Sequence, residues 1–227
     1  MIDVDEQQLA SPSRIECAAA LRALGHSIVG HAVEDELFEE VAAFVRARTQ
    51  IIDAAPVRSR PTHDLKRRMF EDAPPDGEGM MHYPDCVVSG PANPMGINIA
   101  CHRDGDDAVG TITLGPAFEG APGRAHGGVV AAIFDDVMGF VLSIEQTPAF
   151  TGRLGVSYLA PTPIGTPLEF RAHLVRREGR KLFVEGTAST VDGDKILEAD
   201  GIFIAIPAEQ FTEPDGPRAV PPQGLEP

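Results

Sequence analysis

The longest run of apolar positions lies in Gly123–Ile144, GRAHGGVVAAIFDDVMGFVLSI. After a turn and a pair of glycines, Val129, Val130, Ile133, Phe134, Val137, Met138, Phe140, Val141, Leu142 and Ile144 cover every side of one helix. A helix without a polar face is either buried in a core or spans a membrane. Asp135 and Asp136 sit in its middle, where a lipid-facing carboxylate costs at least ~2.5 kcal/mol. The pattern therefore predicts a helix wrapped by protein, and a carboxylate in such a place needs a partner or a task.

Around this helix the pattern is that of strands. Two β-rich runs precede it, 97–103 and 108–114, joined by the turn sequence DGDD. Four follow, at 153–159, 167–177, 182–191 and 195–206, separated by Pro, Gly and Asp. Leu182, Val184 and Gly186 alternate with Phe183, Glu185 and Thr187, which suits a sheet with one covered face. The order predicts an α+β fold, with an antiparallel sheet of about six strands around one long central helix. Such a sheet covers one side of the helix well, so a second subunit is expected on the other.

The first part of the chain reads as a helical extension. Ser13 and Glu16 have capping-box spacing at the start of a helix over 11–30. A second helix is predicted over 33–52, with an apolar stripe of Leu37, Val41, Phe44, Val45, Ile51 and Ile52. Acidic residues crowd its start and Arg46 and Arg48 its end, as the helix dipole favours. These helices are expected to pack on the main domain or help it dimerise. Residues 56–79 read as a linker whose basic cluster, Arg58, Arg60, Lys66, Arg67 and Arg68, faces water. The expected organisation is a helical extension and linker over 1–80, one domain over 81–207, and a Pro-rich acidic disordered tail over 208–227.

Composition narrows the partners. A net charge of −15, no Trp and two Tyr argue against a nucleic-acid surface. The acidic start MIDVDEQQ lacks the pattern of a signal peptide, and no uninterrupted apolar run has membrane-spanning length. Three scattered cysteines, Cys17, Cys86 and Cys101, show no metal spacing and read as reduced thiols. A cytoplasmic protein without a membrane partner is expected.

His126, Gly127 and Gly128 open the long helix. Unpaired N–H groups at a helix start, with glycines that let a ligand come close, suit an oxyanion hole. The same residues also fit a plain Gly-rich turn before a packed helix, with Asp135 simply hydrogen-bonded. Asp135 is nine residues past His126, ~13 Å along the axis. That is too far for both to reach one carbonyl from one chain. Two such helices antiparallel across a two-fold axis would bring Asp135 of one copy toward His126 and Gly127 of the other.

Three motifs, GAPGRAHGGVVAAIFDD, TGRLGVSYLAPTPIGTPL and REGRKLFVEG, resemble the hotdog-fold acyl-CoA thioesterases of the PaaI-like and 4-hydroxybenzoyl-CoA thioesterase superfamily. The resemblance runs over roughly 93–206 and implies homodimers, or homotetramers as dimers of dimers, with sites at subunit interfaces. It assigns Asp135 as general base on water or as nucleophile, the Gly127 amide as the group that polarises the thioester carbonyl, and His126 as orienting the thioester or the loop. Burial is expected to make Asp135 a better base. Thr151, just before the next strand, would hold the water, and Pro148 and Phe150 beside it would be tunnel or turn residues. One subgroup carries an amide side chain before the histidine; EGAPG has none here, which shifts weight to Thr151. Gly128 and the cations Arg153, Arg180 and Lys181, with Arg177 behind, are candidates for substrate contact, the cations for the CoA phosphates; the alternative is an ordinary charged hairpin. No metal or redox cofactor is implied, and coenzyme A is part of the substrate. The expected activity is acyl-CoA thioester hydrolysis. The alternative is a non-catalytic acyl-CoA-binding module on the same scaffold; a hydratase ranks last, because its Asp/His motif is missing.

Overall fold

The computed structural model describes residues 11–57 and 72–206. The basic cluster at 58–68 and the tail at 208–227 therefore lie outside the described residues.

Two N-terminal helices, α1 (Pro12–Gly30) and α2 (Asp35–Asp53), precede the apolar run, which forms α3, Gly127–Ile144. Val130, Ile133, Phe134, Val137, Met138 and Phe140 are all essentially inaccessible. By length and composition α3 could cross a membrane, but here it lies against a sheet that covers its apolar sides. Its C-terminus is closed by Gln146 in the left-handed region (φ 48°). There Thr147 N–H donates to Leu142 C=O (2.9 Å) and Gln146 N–H to Ser143 C=O (3.2 Å), which satisfies carbonyls the helix leaves open.

The sheet is antiparallel throughout, as its alternating strands predict. In chain order the strands are β1 (Gly79–Met80), β2 (Ala100–Asp104), β3 (Asp107–Thr113), β6 (Ala149–Tyr158), β7 (Pro167–Glu178), β8 (Lys181–Thr190) and β9 (Lys195–Ala205). Their spatial order is β1-β2-β3-β7-β8-β9-β6. Six of these are the expected strands; the two-residue β1 was not expected. Within the stretch read as a loop, a short 3-10 turn (Pro116–Phe118) leads to a small hairpin of β4 (Glu119–Ala121) and β5 (Arg124–Ala125). The core lies between α3 and the inner sheet face, where Phe134 meets Phe170 edge-on at 5.1 Å. Gly186 and Gly201 let the sheet approach: an added Cβ would lie 3.1 Å from Met138 in each case.

Several boundaries differ from the expectation. The helix α1 runs Pro12–Gly30 with Ser11 at its cap position and Pro12 at the first turn. Ser13 is thus inside the helix and makes no capping box; the fixed φ of proline sets the start instead. The helix α2, Asp35–Asp53, has its acids in the first turn but no basic residue in the last. Its apolar stripe is not packed on the domain: Phe44 is 61% exposed and Ile52 69%. Strand β6 begins at Ala149, so Thr151 lies inside a strand rather than before it.

Candidate active site

Asp135 is on the exposed side of α3, contrary to the expected burial. The sheet takes the Ile133, Phe134, Val137 side of the helix and leaves a seam of small residues, Gly128, Ala131, Ala132, Gly139 and Ser143, partly open beside Asp135. Thr151 Oγ–H donates to Asp135 Oδ1 at 2.7 Å. The second oxygen, Oδ2, has no partner among the described residues. A bulge in β6 accounts for this aim: Thr151 pairs with Phe203 and Arg153 with Ile202, leaving Gly152 extra. Bulges of this kind re-aim a side chain next to a site.

The pair forms one wall of a cleft of about 450 Å³. Asp136, Gly139, Phe140 and Ser143 continue that wall along α3, Pro148, Ala149 and Phe150 come from the start of β6, and Met80, Met81, His82 and Tyr83 close the far side. The stretch 79–83 carried no motif, so these residues were missed. The His82 ring stacks on Phe140 at 3.8 Å, nearly parallel, and its Nε2 is 3.8 Å from Asp136 Oδ1. Cys86 Sγ also reaches that oxygen, at 3.5 Å, while the buried Asp136 Oδ2 has no hydrogen-bond partner among the described residues. Cys101 lies deeper, and burial, with Asp136 and Cys86 adding, pushes its thiol up.

At the helix start, His126 is the N-cap residue and its Nδ1 accepts from Gly128 N–H at 2.9 Å. The histidine is thus occupied in holding the turn, and the Gly128 amide is occupied with it. Gly128, expected to contact substrate, spends its own amide on this cap. The Gly127 N–H has no intrahelical acceptor, as at any first helical position, and none is found among the described residues. Tyr158, which the sequence reading did not single out, donates from its hydroxyl to Gly127 C=O at 2.8 Å. A Cβ at Gly127 would stand 3.0 Å from that hydroxyl, so only glycine fits comfortably. Gly127 and Asp135 remain eight positions apart on one straight helix, ~12 Å.

The expected phosphate cations are differently disposed. Arg153 is ion-paired to Asp200 on the neighbouring strand. Arg180 Nε donates to Ala205 C=O at 2.9 Å. Lys181 is exposed and has no partner among the described residues. Arg177 does not itself line the cleft, but its guanidinium is 3.4 Å from Thr147 Oγ1, and Thr147 does line it. Among the described residues no group of three or more His, Cys, Asp or Glu is arranged to hold a metal ion.

Comparison with known proteins gives a family match over part of the chain and a fold match over most of it. Residues 122–197 match the family model of the Thioesterase superfamily. Acyl-coenzyme A thioesterase THEM4 from Mus musculus is 34% identical over 104 residues, 44% of this chain and 45% of that protein. Its counterpart from Bos taurus is 32% identical over 109 residues, 46% of this chain and 45% of that protein. The chain spans about half the length of the curated relatives it matches. A crystal structure of a thioesterase superfamily protein superposes with a TM-score of 0.72 at 23% identity, covering 86% of this chain and 91% of that one. The fold is therefore the hotdog fold, and the resemblance read from the three motifs holds over the segment that carries them.

Proposed function

We propose, from the thioesterase-superfamily match over residues 122–197 and the site geometry, that this protein hydrolyses an acyl-CoA thioester to the free acid and CoA. The observation that carries the reading is the Thr151–Asp135 pair on the wall of the cleft. Thr151 holds one carboxylate oxygen at 2.7 Å and leaves the other to accept a proton from water. The water oxygen bonds to the thioester carbonyl carbon as its proton passes to Asp135 Oδ2. The carbonyl oxygen gains the electron pair and is held by the Gly127 N–H. Collapse breaks the C–S bond and releases the CoA thiolate, a good leaving group because thiols ionise near pH ~8.5. The proton on Asp135 then returns to the thiolate or to solvent.

The ~12 Å between Gly127 and Asp135 along one helix makes the minimal working unit a homodimer, in which the amide comes from one copy and the acid from the other. Arg177 at the rim is the first contact for the CoA phosphates, with Lys181 beyond it. A cytoplasmic setting is part of the same reading, from the odd number and scattered spacing of Cys17, Cys86 and Cys101 in the sequence.

Thiol release from a panel of short, long and aromatic acyl-CoAs tests the reading. Turnover by the intact protein that collapses in a folded Asp135→Asn variant is expected. Saturable binding of the panel without turnover would replace hydrolysis with a binding role.

A further inference from the structure

Helix α1 lies outside the superfamily match, yet it is tied to the turn that presents Gly127. We propose that His26 is a positioning residue for the Gly127 amide, so that α1 is a working part of the site. The proposal rests on the oxyanion reading of Gly127 given above.

The connection is short. His26 Nδ1 accepts from the Ala117 N–H at 3.1 Å, and the ring meets Phe118 edge-on at 5.1 Å. The next carbonyl, that of Phe118, accepts from the His126 N–H at 2.8 Å. His126 in turn caps the helix by accepting from Gly128 N–H at 2.9 Å. Two adjacent residues of one 3-10 turn thus join α1 to the residue that starts α3, and the peptide carrying the Gly127 N–H begins at that residue.

The fit at the first joint is close. A Cβ on Gly115 would stand 2.5 Å from the His26 ring, and one on Gly30 would stand 3.1 Å from Pro116. Further along α1, Arg22 donates to the carbonyls of Pro91 (2.9 Å) and Asn93 (2.6 Å). These bonds anchor the helix independently, so loss of His26 frees the 3-10 turn without detaching α1. From the other side, Tyr158 holds the Gly127 carbonyl. The amide is therefore fixed between β6 and α1. A donor aimed at a developing oxyanion acts in the transition state more than in the ground state, so its misplacement lowers kcat and spares KM.

The experiment compares His26→Ala, His26→Asn and Gly115→Ala in the full chain. Asparagine keeps an acceptor near the place of Nδ1; the added Cβ of Gly115→Ala displaces the ring while leaving α1 intact. His26→Ala and Gly115→Ala are expected to lower kcat about tenfold or more with KM within ~2-fold, and His26→Asn to recover most of the loss. Hydrogen exchange of peptides spanning 115–130 should rise in the two impaired variants and stay near the starting level in His26→Asn. Unchanged kcat and unchanged exchange in His26→Ala would overturn the proposal, as would an asparagine variant no better than alanine. Faster exchange at 115–130 in a protein that turns over no acyl-CoA would sink the catalytic reading of Gly127 and leave the mechanical coupling standing.

Discussion

Thr151 Oγ1 and Asp135 Oδ1 stand 2.7 Å apart, joining a strand to the central helix at the point where the helix is not covered by its own sheet. The hydroxyl donates, so one carboxylate oxygen is committed and the other keeps its lone pairs for a proton.

Asp135→Asn therefore removes the base and is expected to lower kcat by ~10²–10⁴-fold with little change in unfolding midpoint, since the side chain is exposed. Thr151→Ala should lose less, and Thr151→Ser, which keeps the hydroxyl, less again. Thiol release at saturating acyl-CoA measures all three; an alanine at 151 as active as the natural residue would contradict the positioning of Asp135.

Tyr158→Phe removes the hydroxyl that holds the Gly127 carbonyl. The lost hydrogen bond should cost about 1 kcal/mol of stability, and kcat should fall while KM holds. Gly127→Ala pushes a methyl to within 3.0 Å of the same hydroxyl, so the double variant with Tyr158→Phe should recover part of the loss. A kinetic double-mutant cycle reads this directly.

The central core should respond to truncation as a fully packed one. Phe134 is 0% exposed and its ring meets Phe170, so Phe134→Ala is expected to cost ~3–5 kcal/mol in urea unfolding. At the end of the same helix, Gln146→Gly relieves a left-handed conformation at a non-glycine residue and should stabilise by about 1 kcal/mol. A destabilised glycine variant would mean the Gln146 side chain holds more than the turn.

Burial lowers the pKa of His26 below its ordinary value. The unfolded chain then binds the proton more readily than the folded one, so stability rises with pH. The contribution of neutral His26 is fully present above ~6.5 and is lost as pH falls through the lower folded value. The turn it packs on, Pro116–Phe118, brings no titratable group, and the nearest charge on its own helix, Arg22, is bound to two carbonyls. Unfolding midpoints measured from about pH 8 to pH 5 should fall more steeply on the acid side for the natural protein than for His26→Asn.

The hydrophobic pattern was enough to read the α+β class, the six long strands and the central helix, because periods of two and of 3.6 residues are local properties of the chain. It also drew attention to Asp135, an acid inside an apolar helix, and to Gly127 at that helix's start, whereas Thr151 was reached through the resemblance to the thioesterase family. Tyr158, His26 and His82 were not legible in this way. Each acts on a group far away in sequence, and nothing beside Tyr158 or His26 marks it as different from an ordinary strand tyrosine or helix histidine. The placement of Asp135 was misread for a related reason: a ring of apolar residues around a helix says that most of it is covered, not which side is left open.

What the chain determined by itself was a buried helix, a sheet to lie against it, and an acid nine residues past a glycine-rich start. The tertiary structure alone decided that the acid faces outward, that a bulge at Gly152 turns Thr151 toward it, that residues 79–83 wall the cleft, and that α1 grips the turn before His126. Those outcomes depend on strand register and on contacts between distant segments, and neither is encoded in the spacing of any one segment.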